Sequence, residues 1–261
     1  QKLGEIWGYV SDGYYTIDDF VLDDAKRDVW TLKEGVTSIQ GVKVQPGDEK
    51  FKDFDGDGVI SSGAGTVSDP GDRKIIGNNR ARFQFGANIG ATYKGFSLDV
   101  RLQGVGKRDY WLSGSSIFPF AGSGSADAVF QPLFSNQTDY WTAKSYDPEN
   151  SDYMVAKNPN AKLFRIYDQG NNVGSNTRVS DKYLQNAAYL RVKNITLGYT
   201  LPRHWVKHVL MESARIYVSV ENLGTISNLP KGYDPEGNTN NAIVWDYPYY
   251  RTISIGANIT F

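Results

Sequence analysis

Cysteine is absent from this sequence of 261 residues, and histidine occurs only twice. Without cysteine the chain has no disulfide bond, no thiolate metal ligand and no cysteine nucleophile. The sequence also has no Gly-x-Ser-x-Gly segment, so no set of nucleophile and base is recognisable. We therefore expect a protein that is not an enzyme.

An excess of charge of either sign is also missing, because 28 Lys and Arg are balanced by 29 Asp and Glu. Proteins that bind DNA or RNA through phosphates present a basic surface, so this balance argues against a nucleic-acid partner. No apolar run approaches the length of about 18 residues that a transmembrane helix requires. By contrast, the 27 glycines and the 13% of aromatic residues are typical of an all-β protein.

Five segments alternate apolar and polar side chains with the period of a β-strand. The clearest, 82–93, is followed by a tight turn at Lys94-Gly95 and a second strand at 96–104, which together predict a hairpin. Three more strands are predicted at 189–200, 214–221 and 252–261. Near Lys193-Asn194 the alternation changes phase, which predicts either a β-bulge or the point where the strand leaves its apolar surroundings.

The alternation alone leaves two architectures open. In a soluble sandwich the apolar faces form a dry core, whereas in an outer-membrane barrel they face lipid and the polar faces line a lumen. The connections favour the barrel, because short links at 94–95 and 201–213 alternate with long ones at about 105–186 and 223–248. Phe261, an aromatic residue on the apolar face of the last predicted strand, is typical of a closing barrel strand.

Several short motifs resemble, in their order along the chain, the C-terminal part of the SusC-like (SusC/RagA family) TonB-dependent outer-membrane transporters. Each motif is weak alone, but the ordered set is specific and covers nearly the whole chain. The set comprises Gly8-Tyr9, Asp12-Gly13, Pro46-Gly47-Asp48, DFDGDGVI at 53–60, DRKIIGN at 72–78, YKGF at 93–96, QGVG at 103–106, YLRVKNITLGYTLP at 189–202, VENL at 220–223 and GYDPE at 232–236.

This resemblance implies the C-terminal strands of a transmembrane antiparallel β-barrel of about 22 strands with long extracellular loops. It also implies import of oligomeric nutrients, either glycans or peptides, across the outer membrane of a Gram-negative bacterium. The implied partners are a SusD-like surface lipoprotein, the TonB protein, outer-membrane lipid, and the N-terminal barrel and plug of the same transporter. We expect the plug and the remaining strands of the barrel to lie outside this sequence. Five strands cannot close a barrel without exposing their edges.

On this basis we expect six parts along the chain. Residues 1–80 are mostly an extracellular loop with a calcium-like motif, 81–104 a hairpin, 105–186 a large extracellular loop, 187–222 two strands with a periplasmic turn, 223–248 an extracellular loop, and 249–261 the closing strand.

The calcium-like motif is the run Asp53-Phe-Asp-Gly-Asp-Gly58. Carboxylates alternate here as in the first half of an EF-hand loop, with a glycine at the sharp turn and the carbonyl of Val59 next. The closing acid is missing at its usual place, where Ala64 stands, and Asp69 or Asp72 is the candidate replacement. The motif predicts a structural Ca²⁺ bound by Asp53, Asp55, Asp57, Val59 and Asp69 or Asp72, with a solvated acidic turn as the alternative; no other cofactor is expected.

Aromatic residues interrupt the polar stretch 107–185, and Tyr110, Trp111, Tyr140 and Trp141 are the candidates for contact with a glycan or peptide. Packing of the loop against itself or against the lid lipoprotein is the competing role. On the polar faces of the strands, the residues expected to face the lumen are Asp99, Arg101, Arg215 and Glu221, where charge pairing is the default. An outer aromatic girdle is expected at Tyr247, Tyr249 and Tyr250.

A second hypothesis is a secreted, calcium-stabilised β-sandwich that binds carbohydrate. It is based on the aromatic content, the glycine-rich turns and the acidic loop. The two hypotheses differ in the surroundings that they require for one set of side chains, which face lipid in the barrel and a dry core in the sandwich. This set is Phe83, Phe85, Leu98, Val100, Ile253 and Ile255.

Overall fold

The structure, a computed structural model, describes residues 2–23, 26–114, 117–119, 133–145, 155–166, 173–237 and 249–261. Within these residues the chain forms two compact units. The first unit comprises the described parts of 2–79 and 110–185, and the second comprises 80–109, 186–237 and 249–261.

The secondary structure is almost entirely β. In chain order the strands are β1 (Glu5–Gly8), β2 (Ser11–Tyr14), β3 (Phe20–Asp23), β4 (Lys26–Leu32), β5 (Ser38–Ile39), β6 (Glu49–Phe51), β7 (Val59–Ile60), β8 (Lys74–Asn78), β9 (Arg82–Tyr93), β10 (Phe96–Lys107), β11 (Asp109–Trp111), β12 (Leu184–Asn186), β13 (Tyr189–Thr200), β14 (Ser213–Ser227) and β15 (Thr252–Thr260). Two single-turn helices are described, α1 (Val173–Asn176) and α2 (Arg203–Val206), with 3-10 turns at Ile17–Asp19, Ser135–Gln137, Asp181–Tyr183 and Lys207–Val209. None of the described helices is long and apolar enough to cross a membrane.

The second unit is one antiparallel sheet with the order β9-β10-β13-β14-β15, in which neighbours in space are also neighbours among these strands along the chain. Lys94 and Gly95 both have positive φ values at the turn between β9 and β10, as a two-residue hairpin turn requires. All five strands predicted by the alternation are present, and the predicted hairpin is confirmed.

Two of these strands are longer than the sequence predicted. Strand β10 continues to Lys107 instead of ending at 104, and β14 continues to Ser227 instead of ending near 222. The pairing shows why the pattern ended early. Leu102 pairs with Val192, but Asn194 pairs with Arg101, so Lys193 is an extra residue that changes the alternation. The β-bulge interpretation is therefore confirmed, and Asn222-Leu223 forms the matching irregularity in β14.

The first unit consists of small sheets around a hydrophobic core. Strands β1 and β8, β2 and β6, and β3 and β4 pair antiparallel, and β5 and β7 pair parallel; β11 and β12 form a further pair. Aromatic residues dominate the core because their large rings can fill the space between such short strands. Its buried members are Tyr9, Tyr15, Phe20, Trp30, Ile39, Val44, Phe51 and Ile60.

Residues 1–80, expected to be mostly an extracellular loop, contain eight short strands, with most of the residues lying outside them. The longest of them, β4, has seven residues, and β5 and β7 have two each. Strands of this length contain too few alternations to give a periodic signal. The predicted loops 105–186 and 223–248 lie only partly within the described residues.

Candidate functional site

One face of the five-stranded sheet is apolar and exposed. The register places Phe85, Leu98, Leu197, Val218 and Ile255 in successive strands on this face, which we call the apolar face. Its side chains are uncovered at both ends of the sheet, with Phe83 76% and Ile255 83% exposed. A contiguous apolar surface of this extent is not left in water, so it requires an apolar environment.

This exposure contradicts the sandwich hypothesis. That hypothesis requires Phe83, Phe85, Leu98, Ile253 and Ile255 to be buried between two sheets, and each of them is exposed instead. Val100, the sixth residue of the set, is only partly buried. Among the described residues, no second sheet pairs with this one, and the hydrophobic core clusters do not include these side chains.

The opposite face, here the polar face, carries the predicted lumen residues. The register places Asp99, Arg101, Arg215 and Glu221 on it. Arg215 donates a hydrogen bond to Ser97 Oγ at 2.8 Å, and its guanidinium lies 3.9 Å from the Asp99 carboxylate. Arg101 Nε donates to Asn88 Oδ1 at 3.2 Å.

Glycines on the polar face make room for large side chains from the neighbouring strand. A Cβ atom on Gly256 would lie 2.4 Å from the ring of Tyr217, and one on Gly198 would lie 2.6 Å from Arg215 Nε. Contacts this short do not occur between real atoms, so a side chain at either position would displace the end of Tyr217 or of Arg215. Arg215 can reach Ser97 and Asp99, two strands away, only because Gly198 has no side chain.

A buried charge cluster lies at the other end of the polar face. Arg191 in β13 is 2% exposed, and the segment that follows β14 brings Asp234 and Glu236 against it. Its guanidinium donates to Asp234, to Glu236 Oε2 at 2.9 Å and to Thr225 Oγ1 at 2.7 Å. Lys193, the bulge residue, also donates to Glu236 Oε2, at 2.6 Å.

The electrostatics of the cluster keep Glu236 ionised. Burial alone would raise the pKa of this carboxyl, but hydrogen bonds from Lys193 and Tyr189 and the charges of Arg191 and Lys193 outweigh it. The pKa of Glu236 is therefore below its ordinary value. These ion pairs hold the segment around 234–236 against the polar face. We call this cluster of Arg191, Lys193, Asp234 and Glu236 the latch.

A cavity of about 580 Å³ adjoins this cluster within the second unit. Its polar groups could hold hydroxyl or amide groups of a ligand, and its aromatic rings could stack on one. Six of its lining residues supply these groups, namely Gln84, Gln103, Arg108, Tyr189, Glu236 and Tyr249. Arg108 also donates to the Pro235 carbonyl at 3.3 Å, so the segment around 235 forms part of the wall.

The sequence pattern did not predict this site, although its charged residues belong to two of the motifs given above. Arg191 lies in the motif 189–202 and Asp234 and Glu236 lie in the motif 232–236, but nothing in the spacing shows that the two motifs meet. Tyr249 was expected in an outer girdle. That expectation needs correction, because the Tyr249 ring centre lies 5.0 Å from the Arg191 guanidinium and lines the cavity on the polar face. Tyr247 lies outside the described residues.

The acidic loop gathers three of its predicted carboxylates. Oxygen atoms of Asp53, Asp55 and Asp72 lie within 4.8 Å of one another. Asp53 accepts hydrogen bonds from the Gly56 and Gly58 amides, which lower its pKa. The Asp57 amide lowers the pKa of Asp55, but desolvation and the charges of the neighbouring aspartates outweigh it and raise that pKa above its ordinary value.

Asp57 and Asp69 are not members of this group. Asp57 accepts from the Val59 amide at 2.7 Å, and Asp69 accepts from the Ala64 amide at 2.9 Å in a separate turn. Asp72 is the acid that closes the loop, because its two oxygens bind the Phe54 and Ser61 amides. Three carboxylates fit the oxygen-ligand preference of Ca²⁺, although they supply only part of its usual coordination.

The four aromatic candidates fall into two pairs. Tyr110 is 1% and Trp141 4% exposed, so for these two the packing role applies, since neither ring has a free face. The Trp141 ring packs on Gly47, where a Cβ would lie 2.6 Å from it. Trp111 and Tyr140 are partly exposed, and Trp111 also contacts the rings of Phe118 and Tyr183.

Comparison with known proteins shows which proteins this chain is similar to. A scan against models of protein families finds no match. The TonB-dependent receptor P3 of Formosa agariphila is 28% identical over an alignment that covers all of this chain and 22% of that protein. The TonB-dependent receptor SusC of Bacteroides thetaiotaomicron is 26% identical over 82% of this chain and 18% of its own length.

Solved structures give the same fold. The RagAB peptide importer in its open-open state superposes with a TM-score of 0.55, at 18% identity, over 98% of this chain and 22% of that one. A structure of the RagAB peptide transporter superposes with a TM-score of 0.52, also at 18% identity, over 100% of this chain and 23% of that one.

The fold is thus that of part of a TonB-dependent transporter. Within that class, the predicted resemblance to the SusC-like TonB-dependent receptors is confirmed by the match over the whole chain. The chain spans about a fifth of the length of the curated relatives it matches. These relatives are receptors and transporters, not enzymes.

Proposed function

We propose that this chain forms the C-terminal part of the barrel wall of a SusC-like transporter that imports oligomeric nutrients across the outer membrane. The observation that carries the proposal is the two-faced sheet, with an exposed apolar face and a polar face rich in charged and hydroxyl groups. In an outer-membrane barrel the first face contacts lipid and the second lines the lumen. Further strands, about 22 in all, would complete the closed barrel.

The partners follow from this proposal. A SusD-like lipoprotein would cover the barrel from outside, and TonB would act through the plug of the same transporter. RagAB is described as a peptide importer. For this chain the cargo is a glycan or a peptide, and the cavity beside Arg191 and Tyr249 provides polar and aromatic contacts along its path.

The membrane assignment is tested with two neighbouring substitutions in β15 of the full-length protein. Ile255→Lys puts a charge on the apolar face, which costs about 2 to 4 kcal/mol at the middle of a bilayer. Ser254→Lys puts the same charge on the polar face, one residue away. We expect Ile255→Lys to reduce the amount of protein assembled in the outer membrane and to abolish uptake, and Ser254→Lys to assemble normally.

Quantitative blots of washed outer membranes measure this difference. Equal assembly of both variants would refute a lipid-facing role for the apolar face. Reduced assembly of Ser254→Lys alone would show that the two faces are assigned the wrong way round.

A structural Ca²⁺ in the acidic loop is a further part of the proposal. Asp53, Asp55 and Asp72 would hold the ion, and its charge would relieve the repulsion that raises the pKa of Asp55. We expect Asp55→Asn to weaken Ca²⁺ binding at least tenfold and Asp69→Asn to leave it unchanged. Calorimetric titration of the full-length, chelator-treated protein with CaCl₂ tests this, and equal affinities of the two variants would contradict the assignment.

A further inference from the structure

A second cavity, of about 330 Å³, lies within the first unit. Its size is at the lower end of small-ligand sites, so it suits one compact group instead of an extended chain. The residues that matter for the argument are Trp7, Tyr9, Gln40, Ser62, Arg73 and Arg178.

Two positive charges, those of Arg73 and Arg178, line the cavity. Among the described residues, neither Arg73 nor Arg178 forms an ion pair with a carboxylate. Arg73 is held in place by its own hydrogen bonds, from Nε to the Pro70 carbonyl at 3.3 Å and from Nη2 to the Ser62 carbonyl at 3.0 Å. Arg178 lies over the ring of Tyr9, with its guanidinium carbon 5.6 Å from the ring centre.

Two fixed guanidinium groups in one concave site attract an anion. Arginine binds carboxylate and sulfate groups through paired N–H donors, and a preorganised guanidinium loses little freedom when it does so. Arg73 uses two of its five N–H groups on the protein, so donors remain for a ligand. The site therefore selects for negative charge.

The walls favour a saccharide over a peptide. Peptides commonly bind by adding a strand to a free sheet edge. Here β1 pairs with β8 along one edge, and Tyr9, which follows it, accepts from Asp181 at 3.1 Å and donates to the Val179 carbonyl at 2.8 Å. These bonds occupy the main-chain N–H and C=O groups of Tyr9, so an added strand cannot pair with this part of the wall. Trp7 provides an aromatic surface of the kind on which sugar rings pack, and Gln40 and Ser62 provide groups that can bond hydroxyls.

We infer that this cavity is a binding site for an acidic saccharide unit, whose carboxylate or sulfate lies between Arg73 and Arg178. The inference rests on the proposed transport function, since it names the class of nutrient. Arg178 supplies one of the two charges, and its guanidinium also lies over the ring of Tyr9, a member of the core.

The test is binding of trigalacturonate and of its neutral counterpart, galactotriose, to the purified full-length protein in detergent. We expect trigalacturonate to bind at least tenfold more tightly than galactotriose, and to weaken as salt is raised. Arg178→Gln should lose at least tenfold in affinity for trigalacturonate, and Arg178→Lys should lose less. Arg203→Gln, which removes the same charge from the exposed helix α2 of the second unit, is the matched control and should bind like the unmodified protein.

Several results would overturn the inference. These are equal affinity for the acidic and neutral trisaccharides, unchanged binding by Arg178→Gln, an equal loss in Arg203→Gln, or tighter binding of triglutamate than of trigalacturonate. If Arg178→Gln has the same thermal unfolding midpoint as the control, the variant is folded and its affinity tests the inference. If its midpoint is lower, Arg178→Lys is used instead, and the inference requires its affinity to lie below that of the unmodified protein. Because binding is measured without uptake, its loss and a failure of membrane assembly are separate outcomes.

Discussion

Among single residues, Glu49 in the first unit is notable because its carboxylate is fully buried. Desolvation raises its pKa to about 8, against the opposing effects of the Lys182 charge and the hydroxyls of Ser11 and Ser180, and Asp181 adds to the rise. Tyr14 and Tyr183 complete its surroundings, and Lys182 lies over the Tyr14 ring with Nζ 3.5 Å from its centre. Glu49 is therefore protonated in the folded protein at neutral pH.

This predicts that the first unit loses stability as pH rises from about 4.5 to about 8. In that interval the unfolded chain ionises Glu49 while the folded protein keeps the proton, so folding requires proton uptake, which costs up to about 1.4 kcal/mol per pH unit. Below pH 4.5 both states are protonated and the penalty is absent. Glu49→Gln should flatten the pH dependence of the free energy of unfolding measured by urea titration. An unchanged slope would contradict the raised pKa, and Glu34→Gln, at a position where the side chain is exposed, is the control.

Arg191 is the corresponding residue of the second unit. Arg191→Met leaves Asp234 without its buried partner and Glu236 with Lys193 alone, which costs about 3 kcal/mol because both carboxylates stay partly buried. Lys193→Met removes a more exposed partner of Glu236 and should cost about 1 kcal/mol or less. We expect faster protease cleavage around 228–237 in the first variant than in the second. Equal cleavage rates would show that the latch does not depend on Arg191.

Within and between strands, the fold depends on where side chains are missing as much as on where they are present. Alternation predicted β9, β10 and β13 because each has twelve residues with alternating apolar and polar side chains, interrupted in β13 by the bulge at Lys193. It did not predict the short strands of the first unit, whose positions depend on partners far along the chain, such as β8 for β1. It also did not show that Gly256 accommodates the ring of Tyr217, since this contact depends on register between strands.

The contact between Gly256 and the Tyr217 ring leads to a prediction for two glycines of the polar face. Gly256→Val places a Cβ 2.4 Å from the Tyr217 ring, and displacing the ring costs about 1 to 3 kcal/mol. Gly86→Val is the control, because the nearest atom to its Cβ, the Leu102 carbonyl oxygen, is 3.4 Å away. Heating in SDS, followed by gel electrophoresis, should convert Gly256→Val to the unfolded form at a lower temperature. Tyr217→Ala should restore the midpoint in the double variant, and no restoration would exclude this clash as the cause.

For the molecule as a whole, the balanced charge and the modest share of hydrophobic residues, 40%, resemble a soluble protein. The average conceals the distribution, since the apolar side chains of the second unit are gathered on one exposed face while the first unit buries its own core. The second unit therefore presents an apolar surface to its surroundings, whereas the first unit has its apolar core buried.

This distribution predicts the behaviour of the full-length protein on cell fractionation. We expect it in the outer membrane, released by detergent and not by high salt or carbonate, because burial of apolar side chains in lipid is insensitive to salt. A periplasmic protein of the same host serves as the soluble control. Recovery of the native protein in the detergent-free periplasmic fraction would contradict the proposed function.

Periodicity and ordered motifs were sufficient to predict the five long strands, the bulge at Lys193 and the family, because these depend on neighbours along the chain. Alternation also predicted that Asp99, Arg101, Arg215 and Glu221 share one face of the sheet, for the same reason. The Arg191 latch, the two cavities and the group of Asp72 with Asp53 and Asp55 depend on residues that are distant along the chain and meet in space, such as Arg191 and Glu236, which are 45 positions apart. Such meetings follow from the register and packing of strands, and a linear pattern of residue types carries no information on them.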